Sequence, residues 1–266
     1  MTKPISRLDL DALDSDPPRP RWLIEGWIRK HDLVIVSGEP GAAKSWLALF
    51  AALKVTSGGQ LFLWNVTSSS SQNKVLYIDE DMNRYDAQER FQHLAAGLGE
   101  KPSKWHGLID YWTENGFTLN SIVERSGEIK EFGPALVIVD SMYCINEYDM
   151  NELQYVRKVK SRLRGLMKEA DCSLMILHHL RKSQPGQERV KTSEDILGSV
   201  GYRNMADAVI FMEWVDARKR VAGVKVRLDK QRGLSEEAIE NQKFRFKVNY
   251  LGEGKGTRLD LIGAEA

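Results

Sequence analysis

Short apolar runs alternate along the chain with longer stretches in which apolar residues recur at helical spacing. The runs have the length of strands, and a helical pattern follows most of them. Strands and helices in regular alternation are typical of a parallel sheet, because each parallel connection needs a crossover. The predicted strands are Leu33–Ser37, Val75–Asp79, Leu108–Trp112, Leu136–Asp140 and Ser173–His178, and the predicted helices are Lys44–Val55, Arg84–Leu98, Ile122–Phe132 and Glu152–Glu169.

The pattern changes after residue 205, where three strand-like segments follow one another through short links. They are Ala208–Trp214, Gly223–Asp229 and Lys243–Leu251. Short links join antiparallel strands, so we expect these segments to extend one edge of the parallel sheet. The predicted fold class is α/β, with a mainly parallel twisted sheet, flanking helices and antiparallel strands at its C-terminal edge.

The domain organisation follows from composition along the chain. Residues 1–20 are rich in Asp and Pro and are predicted to form a flexible arm, with docking on a neighbouring subunit as the alternative. Residues 21–266 show no internal repeat and no second core pattern. We therefore expect a single domain over residues 21–266.

Composition narrows the class of protein. The net charge is +1, so no overall field draws the chain to nucleic acid or to a membrane, and any basic surface is local. Cys144 and Cys172 adjoin apolar runs, which predicts reduced core thiols rather than a disulfide. No apolar stretch approaches the roughly eighteen residues of a membrane span, and no signal-peptide pattern is present. We expect a cytoplasmic protein without membrane contacts.

A buried-type strand runs into a glycine-containing loop and then into a helix. Gly38 and Gly41 would let backbone N–H groups and the helix N-terminus face a polyphosphate, with Lys44 on the outer phosphates and the Ser45 hydroxyl on Mg²⁺. Ala43 stands where this motif has glycine, and its methyl group would crowd the phosphates. The alternative is a Gly/Pro turn before an ordinary helix. The residues assigned to phosphate binding are Gly38, Glu39, Pro40, Gly41, Ala42, Ala43, Lys44, Ser45 and Trp46.

Acidic residues end two of the predicted strands. Asp140 follows four apolar residues and would lie at the carboxyl edge of the sheet, where it orders Mg²⁺ directly or through a water, or caps a helix. Asp79, Glu80 and Asp81 form a run of three carboxylates, which repel one another and would be costly in a dry interior. We expect all three to face solvent, a metal or a reacting water. Either one of them positions or deprotonates that water, or the run is a solvated strand end that caps the next helix.

A pair of histidines ends the strand beginning at Ser173. His178 and His179 would share the sheet edge with Lys44, either as part of the site or as ordinary backbone-bonded side chains; no Cys or His lies at zinc spacing. The polar loop that follows, up to Thr192, is a plain connection or a segment that grips the phosphates of a single strand. Its cations are Arg181, Lys182, Arg189 and Lys191.

A second cationic pair ends an alternating strand near residue 230. Lys230 and Arg232 lie two residues apart, so their side chains would project in the same direction. A solvated strand end is the ordinary explanation for such a pair.

The order of these motifs resembles the RecA-like P-loop ATPases, most closely the branch of the plasmid replicative helicase RepA and the DnaB helicases. The resemblance covers roughly Trp22 to Ile262. It rests on Gly38–Ser45, the acid-ended strand through Asp81, Asp140–Ser141, His178–Lys182, Gly198–Ser199 with Ala206–Asp207, and Lys230–Gly233.

The resemblance implies roles for residues that the pattern leaves open. It implies ATP and Mg²⁺ as cofactors and places Asp81 where family members carry a Glu as catalytic base, with Glu80 as the substitute if the strand is bulged. It implies that His179 senses the γ-phosphate. It further implies that Lys230 and Arg232 enter the ATP site of the neighbouring subunit.

The function expected from this resemblance is a ring-forming ATPase, a hexamer, that acts on single-stranded DNA as a replicative-type helicase or translocase. The alternative is a nucleotide-gated assembly or switch ATPase with weak hydrolysis and no motor activity. Ala43 and Asp81 favour the switch, whereas the intact Lys230–Arg232 pair and the cationic loop favour the motor. A phosphotransferase acting on a small molecule is disfavoured because no acceptor-binding insertion is visible.

Overall fold

The structure is a computed structural model that describes residues 21–67, 73–150, 152–180, 192–196, 201–216, 223–252 and 254–264. The predicted N-terminal arm lies outside the described residues, as do Gly198–Ser199. The four loop cations Arg181, Lys182, Arg189 and Lys191 also lie outside them.

The described residues form strands and helices in regular alternation. The strands are β1 (Trp22–Ile24), β2 (Ile28–Arg29), β3 (Leu33–Gly38), β4 (Gly59–Leu61), β5 (Trp64–Val66), β6 (Val75–Asp79), β7 (Ile109–Thr113), β8 (Leu136–Asp140), β9 (Ser173–His179), β10 (Ala208–Trp214), β11 (Val224–Gln231), β12 (Lys243–Tyr250) and β13 (Thr257–Ala264). The helices are α1 (Lys44–Ser57), α2 (Arg84–Gly97), α3 (Leu119–Glu124), α4 (Ser126–Phe132), α5 (Met142–Ile145), α6 (Leu153–Ala170), α7 (Gly201–Met205) and α8 (Glu236–Glu240).

A large mixed sheet organises the fold, with its strands in the order β13-β12-β11-β10-β3-β9-β8-β6-β7. The six strands from β10 to β7 are parallel to their neighbours, and β11, β12 and β13 are antiparallel additions at one edge. The predicted fold class is confirmed. The final strand, β13, was not predicted from the sequence.

Helices cover both faces of this sheet, and each face has its own apolar cluster. On one face α6 buries a stripe from Val156 through Val159 and Leu163 to Met167 and Ala170, the spacing of one helical side. The other face carries α1. Because side chains alternate between the two faces of each strand, a single sheet contributes to both apolar clusters.

The helix predicted over Lys44–Val55 forms as α1, and its middle part is buried on all sides. Every residue from Leu47 to Leu53 is buried. The reason is a second, four-stranded sheet of order β2-β1-β5-β4, whose aromatic side chains join the same apolar cluster as α1. Trp27 and Trp64 of this small sheet pack against Phe244 of β12.

Several elements begin or end one or two residues away from their predicted bounds, and one predicted helix is broken. The helix predicted over Ile122–Phe132 is two short helices, α3 and α4, which meet at Arg125 with φ −90° and ψ 13°. Ser126 and Gly127 directly after this junction are weak helix formers, so the sequence offers little resistance to the break. The strand predicted over Leu108–Trp112 begins and ends one residue later.

No helix among the described residues is long and apolar enough to cross a membrane.

Candidate functional site

The carboxyl ends of four parallel strands, β3, β9, β8 and β6, bring the predicted site residues to one edge of the sheet. Gly38 pairs in register with His179, and Asp79 pairs with Asp140. The phosphate-type loop leaves β3 at this edge, and the run through Asp81 leaves β6 there. Ligands of open α/β sheets bind at this edge, because the loops that follow the strands meet there.

The glycine loop is shaped by packing as well as by its φ angles. A Cβ atom on Gly38 would lie 2.3 Å from the backbone oxygen of Met212 on β10, so only glycine fits beside that strand. Gly41 has φ +77°, and Ala43 has φ +58°, which is unusual for alanine. Ala43 is the N-cap of α1 and its side chain makes no capping hydrogen bond. The free N–H groups of the first turn of α1 therefore remain available for an anion.

Lys44 lies across this loop and is almost fully buried. Its Nζ donates to the carbonyl oxygens of Gly38 at 3.1 Å and Glu39 at 3.0 Å. Burial lowers the pKa of Lys44, and the negative charges of Asp140, Asp81 and Glu39 oppose that shift. A buried cation that faces three carboxylates is well placed to bind polyphosphate oxygens.

Asp140 is buried at the end of β8. The Tyr77 hydroxyl donates to its Oδ2 at 3.1 Å, and the nearby Ser45 side chain opposes the rise of its pKa. Burial raises the pKa of Asp140 to about 6, with the nearby charge of Asp79 adding to the shift. The Ser45 hydroxyl and the Asp140 carboxylate are hard oxygen ligands that suit Mg²⁺. Groups of three or more His, Cys, Asp or Glu that could hold a metal are absent from the described residues.

The three consecutive carboxylates have three different environments, and the prediction that all of them face solvent, metal or water is wrong for Asp79. Asp79 is 0 % exposed and is compensated by the Tyr111 hydroxyl at 2.6 Å and by two backbone N–H groups. Glu80 turns towards the next loop, where it accepts from the N–H groups of Asn115 at 3.3 Å and Gly116 at 3.0 Å.

Asp81 is the exposed member of the three and faces the site. Its charge acts on Lys44, Asp140 and His179. The Cys144 Sγ lies 3.6 Å from its Oδ1, so Cys144 is at the rim of the site and not in the core as the sequence indicated; Cys172 is buried, and both thiols are free. The structure thus separates Asp81 from Glu80, which the sequence left as alternatives.

The two histidines point to opposite faces of β9. His178 is fully buried with its ring 4.9 Å from that of Tyr202, and burial lowers its pKa to about 3. His179 is half-buried beside Gly38, and burial, together with the charge of Lys44, lowers its pKa. Only His179 of this pair therefore shares the face of the sheet on which Lys44 lies.

Lys230 and Arg232 lie away from the glycine loop of the same chain. Lys230 pairs in register with Val209, whose partner Ile35 is near the start of β3, at the opposite end from Gly38. Its Nζ donates to the carbonyl oxygens of Ala206 at 2.7 Å and Arg203 at 3.2 Å. Arg232 donates to the Asn204 carbonyl oxygen at 3.2 Å, close to the end of α7. Burial and neighbouring cations lower the pKa of Lys230 to about 8.

A cavity of about 280 Å³ lies beside the glycine loop and was not foreseen from the sequence. It is lined by Gly41, Ala43, Trp46, Trp214, Gly223, Val224, Lys247 and Val248. The loop and the first turn of α1 supply one wall, and the ends of β10, β11 and β12 supply the other. Trp214 is distant from every loop residue along the chain, so no local pattern relates it to the loop.

Comparison with known proteins agrees with this geometry. A family model described as AAA domain (AAA_25) matches residues 2–185. The chain belongs to this AAA domain family. No curated protein sequence matches the chain.

Two solved structures share the fold of this AAA domain protein. The structure of the ATPase domain of G40P has 15% sequence identity and a TM-score of 0.63, and the match covers 90% of this chain and 86% of that one. A DnaB-like replicative helicase, studied with its interactions with primase, has 14% identity and a TM-score of 0.64, over 93% of this chain and 65% of the helicase chain. The chain thus spans about two thirds of that helicase. The RecA-like α/β architecture predicted from the sequence is confirmed.

Proposed function

We propose that this protein binds and hydrolyses ATP with Mg²⁺ and that it works as a ring-forming ATPase on single-stranded DNA. The convergence of Lys44, Ser45, Asp140 and Asp81 at one sheet edge carries this proposal. These four side chains come from three different elements. Together they supply a phosphate cation, two oxygen ligands and a solvent-accessible carboxylate.

The roles follow from the chemistry of each side chain. Lys44 exchanges its two carbonyl contacts for the outer phosphates, and the N–H groups of the first turn of α1 bind the remaining phosphate oxygens. Ser45 and Asp140 would hold Mg²⁺, which when bound neutralises the phosphate charge. Asp81 accepts a proton from the attacking water, and half-buried His179, next to Gly38, contacts the γ-phosphate.

The cavity beside the loop supports a site for the nucleoside part of ATP. A triphosphate on the loop has its α-phosphate near the start of α1, so its sugar and base extend past Trp46. The indole of Trp46 partly lines the cavity, and Trp214 faces it from β10. Stacking between a base and aromatic rings contributes about 1–3 kcal/mol per base.

The position of the cationic pair Lys230 and Arg232 supports the proposed assembly of several copies into a ring. Lys230 and Arg232 are too far along the sheet to serve the glycine loop of their own chain, and the Arg232 side chain is 49% exposed. We propose that they act on the ATP site of a neighbouring copy, where Arg232 stabilises charge on the transferred phosphoryl group. The RecA-like fold shared with a DnaB-like replicative helicase supports the assembly and the DNA substrate.

A nucleotide-gated switch with slow hydrolysis is the second candidate. Ala43 adopts a left-handed conformation that costs alanine about 1–2 kcal/mol, and Asp81 is one methylene shorter than the Glu implied by the family resemblance. Both features affect turnover more than binding.

ATP turnover with and without single-stranded DNA tests the proposal. We expect hydrolysis in the wild type, stimulation by single-stranded but not duplex DNA, and loss of ATP binding by calorimetry in Lys44→Ala. Lys54→Ala, a lysine at the other end of α1, is the matched control and leaves ATP binding unchanged. Normal ATP binding by Lys44→Ala contradicts the nucleotide site, whereas hydrolysis that ignores DNA favours the switch.

Separate substitutions of the two neighbouring carboxylates identify the base. We expect Asp81→Asn to lower turnover by about a hundredfold or more, since it deletes the group that accepts the proton. Glu80→Gln keeps turnover near the wild-type rate, because the Glu80 side chain contacts the backbone of Asn115 and Gly116 and not the site. Equal losses in the two variants would contradict the assignment.

A further inference from the structure

The backbone turn that carries Asp81, residues 80–82, is held by its own strand β6 and by the two neighbouring strands β8 and β7. The Glu80 N–H donates to the Asp140 carbonyl oxygen at 2.8 Å. The N–H groups of Asp81 and Met82 both donate to Oδ1 of Asp79, at 3.1 and 3.0 Å. The Met82 carbonyl oxygen accepts from Oγ1 of Thr113 at 3.0 Å.

The carboxylate of Asp79 is the centre of this arrangement, although it does not face the site. It is 0 % exposed, its Oδ1 accepts two backbone N–H groups and its Oδ2 accepts the Tyr111 hydroxyl at 2.6 Å. The Tyr111 ring stacks on Tyr77 at 4.8 Å with nearly parallel planes, and Tyr77 donates to Asp140. Two stacked tyrosines thus hold two carboxylates on neighbouring strands.

We propose that Asp79 and Tyr111 are positioning residues for Asp81, fixing the turn that directs the Asp81 carboxylate towards the phosphate site. This inference rests on the proposed function for its kinetic consequence. Asp79 itself is buried with both oxygens engaged, so it has no path to a reacting water. A displacement of about 1 Å in a reacting group can cost about a hundredfold in rate, so a held turn matters more than its contribution to stability.

Three variants test this role by ATPase kinetics. Asp79→Ala removes all three contacts, and we expect kcat to fall by about tenfold to a hundredfold, while the KM for ATP stays within about twofold. Asp79→Asn retains most of the rate, because its amide oxygen accepts the same two N–H groups and its amide N–H donates to the Tyr111 oxygen. The kcat of Tyr111→Phe lies between those of the two Asp79 variants, and this variant replaces Asp79→Ala in the test if Asp79→Ala does not fold. Tyr85→Phe, an exposed tyrosine in α2, is the control and keeps the wild-type kcat.

A second measurement needs no turnover. The Cys144 thiol lies 3.6 Å from Oδ1 of Asp81; burial raises the pKa of this thiol, and the negative charge of Asp81 raises it further. If the turn is released in Asp79→Ala, Asp81 moves away, more thiolate forms and Cys144 reacts with iodoacetamide about threefold faster by peptide mapping. Asp79→Asn keeps the wild-type rate, and buried Cys172 is the internal control.

The outcomes separate the two proposals. A wild type without ATP turnover contradicts the proposed function, while the alkylation of Cys144 still decides whether Asp79 positions Asp81. If Asp79→Asn lost as much kcat as Asp79→Ala and its Cys144 were alkylated as fast as in Asp79→Ala, the charge of Asp79 would be required, and this would overturn the positioning role. An unchanged kcat in Asp79→Ala, or an unchanged rate of Cys144 alkylation, overturns it as well.

Discussion

The buried imidazole of His178 makes the stability of this protein depend on pH in a way that a single substitution should remove. The side chain is 0 % exposed, its Nδ1 lies 3.2 Å from the His179 carbonyl oxygen, and its Nε2 has no hydrogen-bond partner among the described residues. Burial, helped by the charges of His179 and Lys44, lowers its pKa to about 3. The folded protein therefore keeps this ring neutral through the physiological range.

The sign and size of the effect follow from linkage between protonation and folding. In the unfolded chain a histidine has a pKa of about 6.5, so below that pH the unfolded state takes up a proton that the folded state refuses. The contribution of the neutral ring to stability is therefore fully present above about pH 6.5. Below that pH the free energy of unfolding falls by about 1.4 kcal/mol per pH unit, down to about pH 3. Between about pH 8 and about pH 4.5 this single group lowers the free energy of unfolding by about 2–3 kcal/mol.

Urea unfolding of the wild type and His178→Phe at a series of pH values measures this contribution. Phenylalanine keeps a ring against Tyr202 and cannot be protonated, and other titrating groups, Asp140 included, cancel in the difference between the two proteins. We expect the wild type to lose about 2–3 kcal/mol more than the variant over this range. His178→Asn replaces it if the larger ring prevents folding. Parallel pH profiles for wild type and variant would refute the argument.

Two further substitutions probe the loop and the ring. Ala43→Gly should raise the free energy of unfolding by about 0.5–1 kcal/mol. Glycine adopts φ +58° without the strain that alanine has there, and the greater freedom of glycine in the unfolded chain offsets part of this gain. A loss of stability in urea unfolding would contradict this prediction. Arg232→Ala should leave the ATP affinity of isolated subunits intact and lower turnover by about a thousandfold. Mixed with wild type, it should depress activity more steeply than its fraction, and a linear decline would show that Arg232 does not act on a neighbouring subunit.

Local pattern determined much of the fold before any tertiary information. Strands such as Val75–Asp79 and Leu136–Asp140 match the structure residue for residue, because a continuous apolar run buried on both faces has few alternatives. The small sheet escaped prediction, because its strands have only two or three residues and show no period. The burial of α1 on all sides also depends on that sheet.

Part of the candidate site could likewise be predicted from the local sequence, and part could not. The loop around Lys44 and the acids that end β6 and β8 are visible in the sequence, because backbone geometry and strand ends are local properties. The residue pattern alone did not distinguish Asp79, Glu80 and Asp81, which are chemically alike and adjacent, and the family resemblance assigned the base to Asp81 with Glu80 as the substitute. Their environments are set by Tyr111 and by the loop at Asn115 and Gly116, which come from the neighbouring strand.

The histidines and the cationic pair show what alternation along a strand can and cannot tell. Period two implies that His178 and His179 point to opposite faces, but which face holds Lys44 depends on the order of strands in the sheet. Likewise, the spacing of Lys230 and Arg232 predicts a shared direction, and the antiparallel pairing of β11 with β10 decides that they lie far from their own glycine loop. The sequence by itself determined the chemical groups and their local geometry, and the tertiary structure decided which of them meet, because burial and charge depend on neighbours that are distant along the chain.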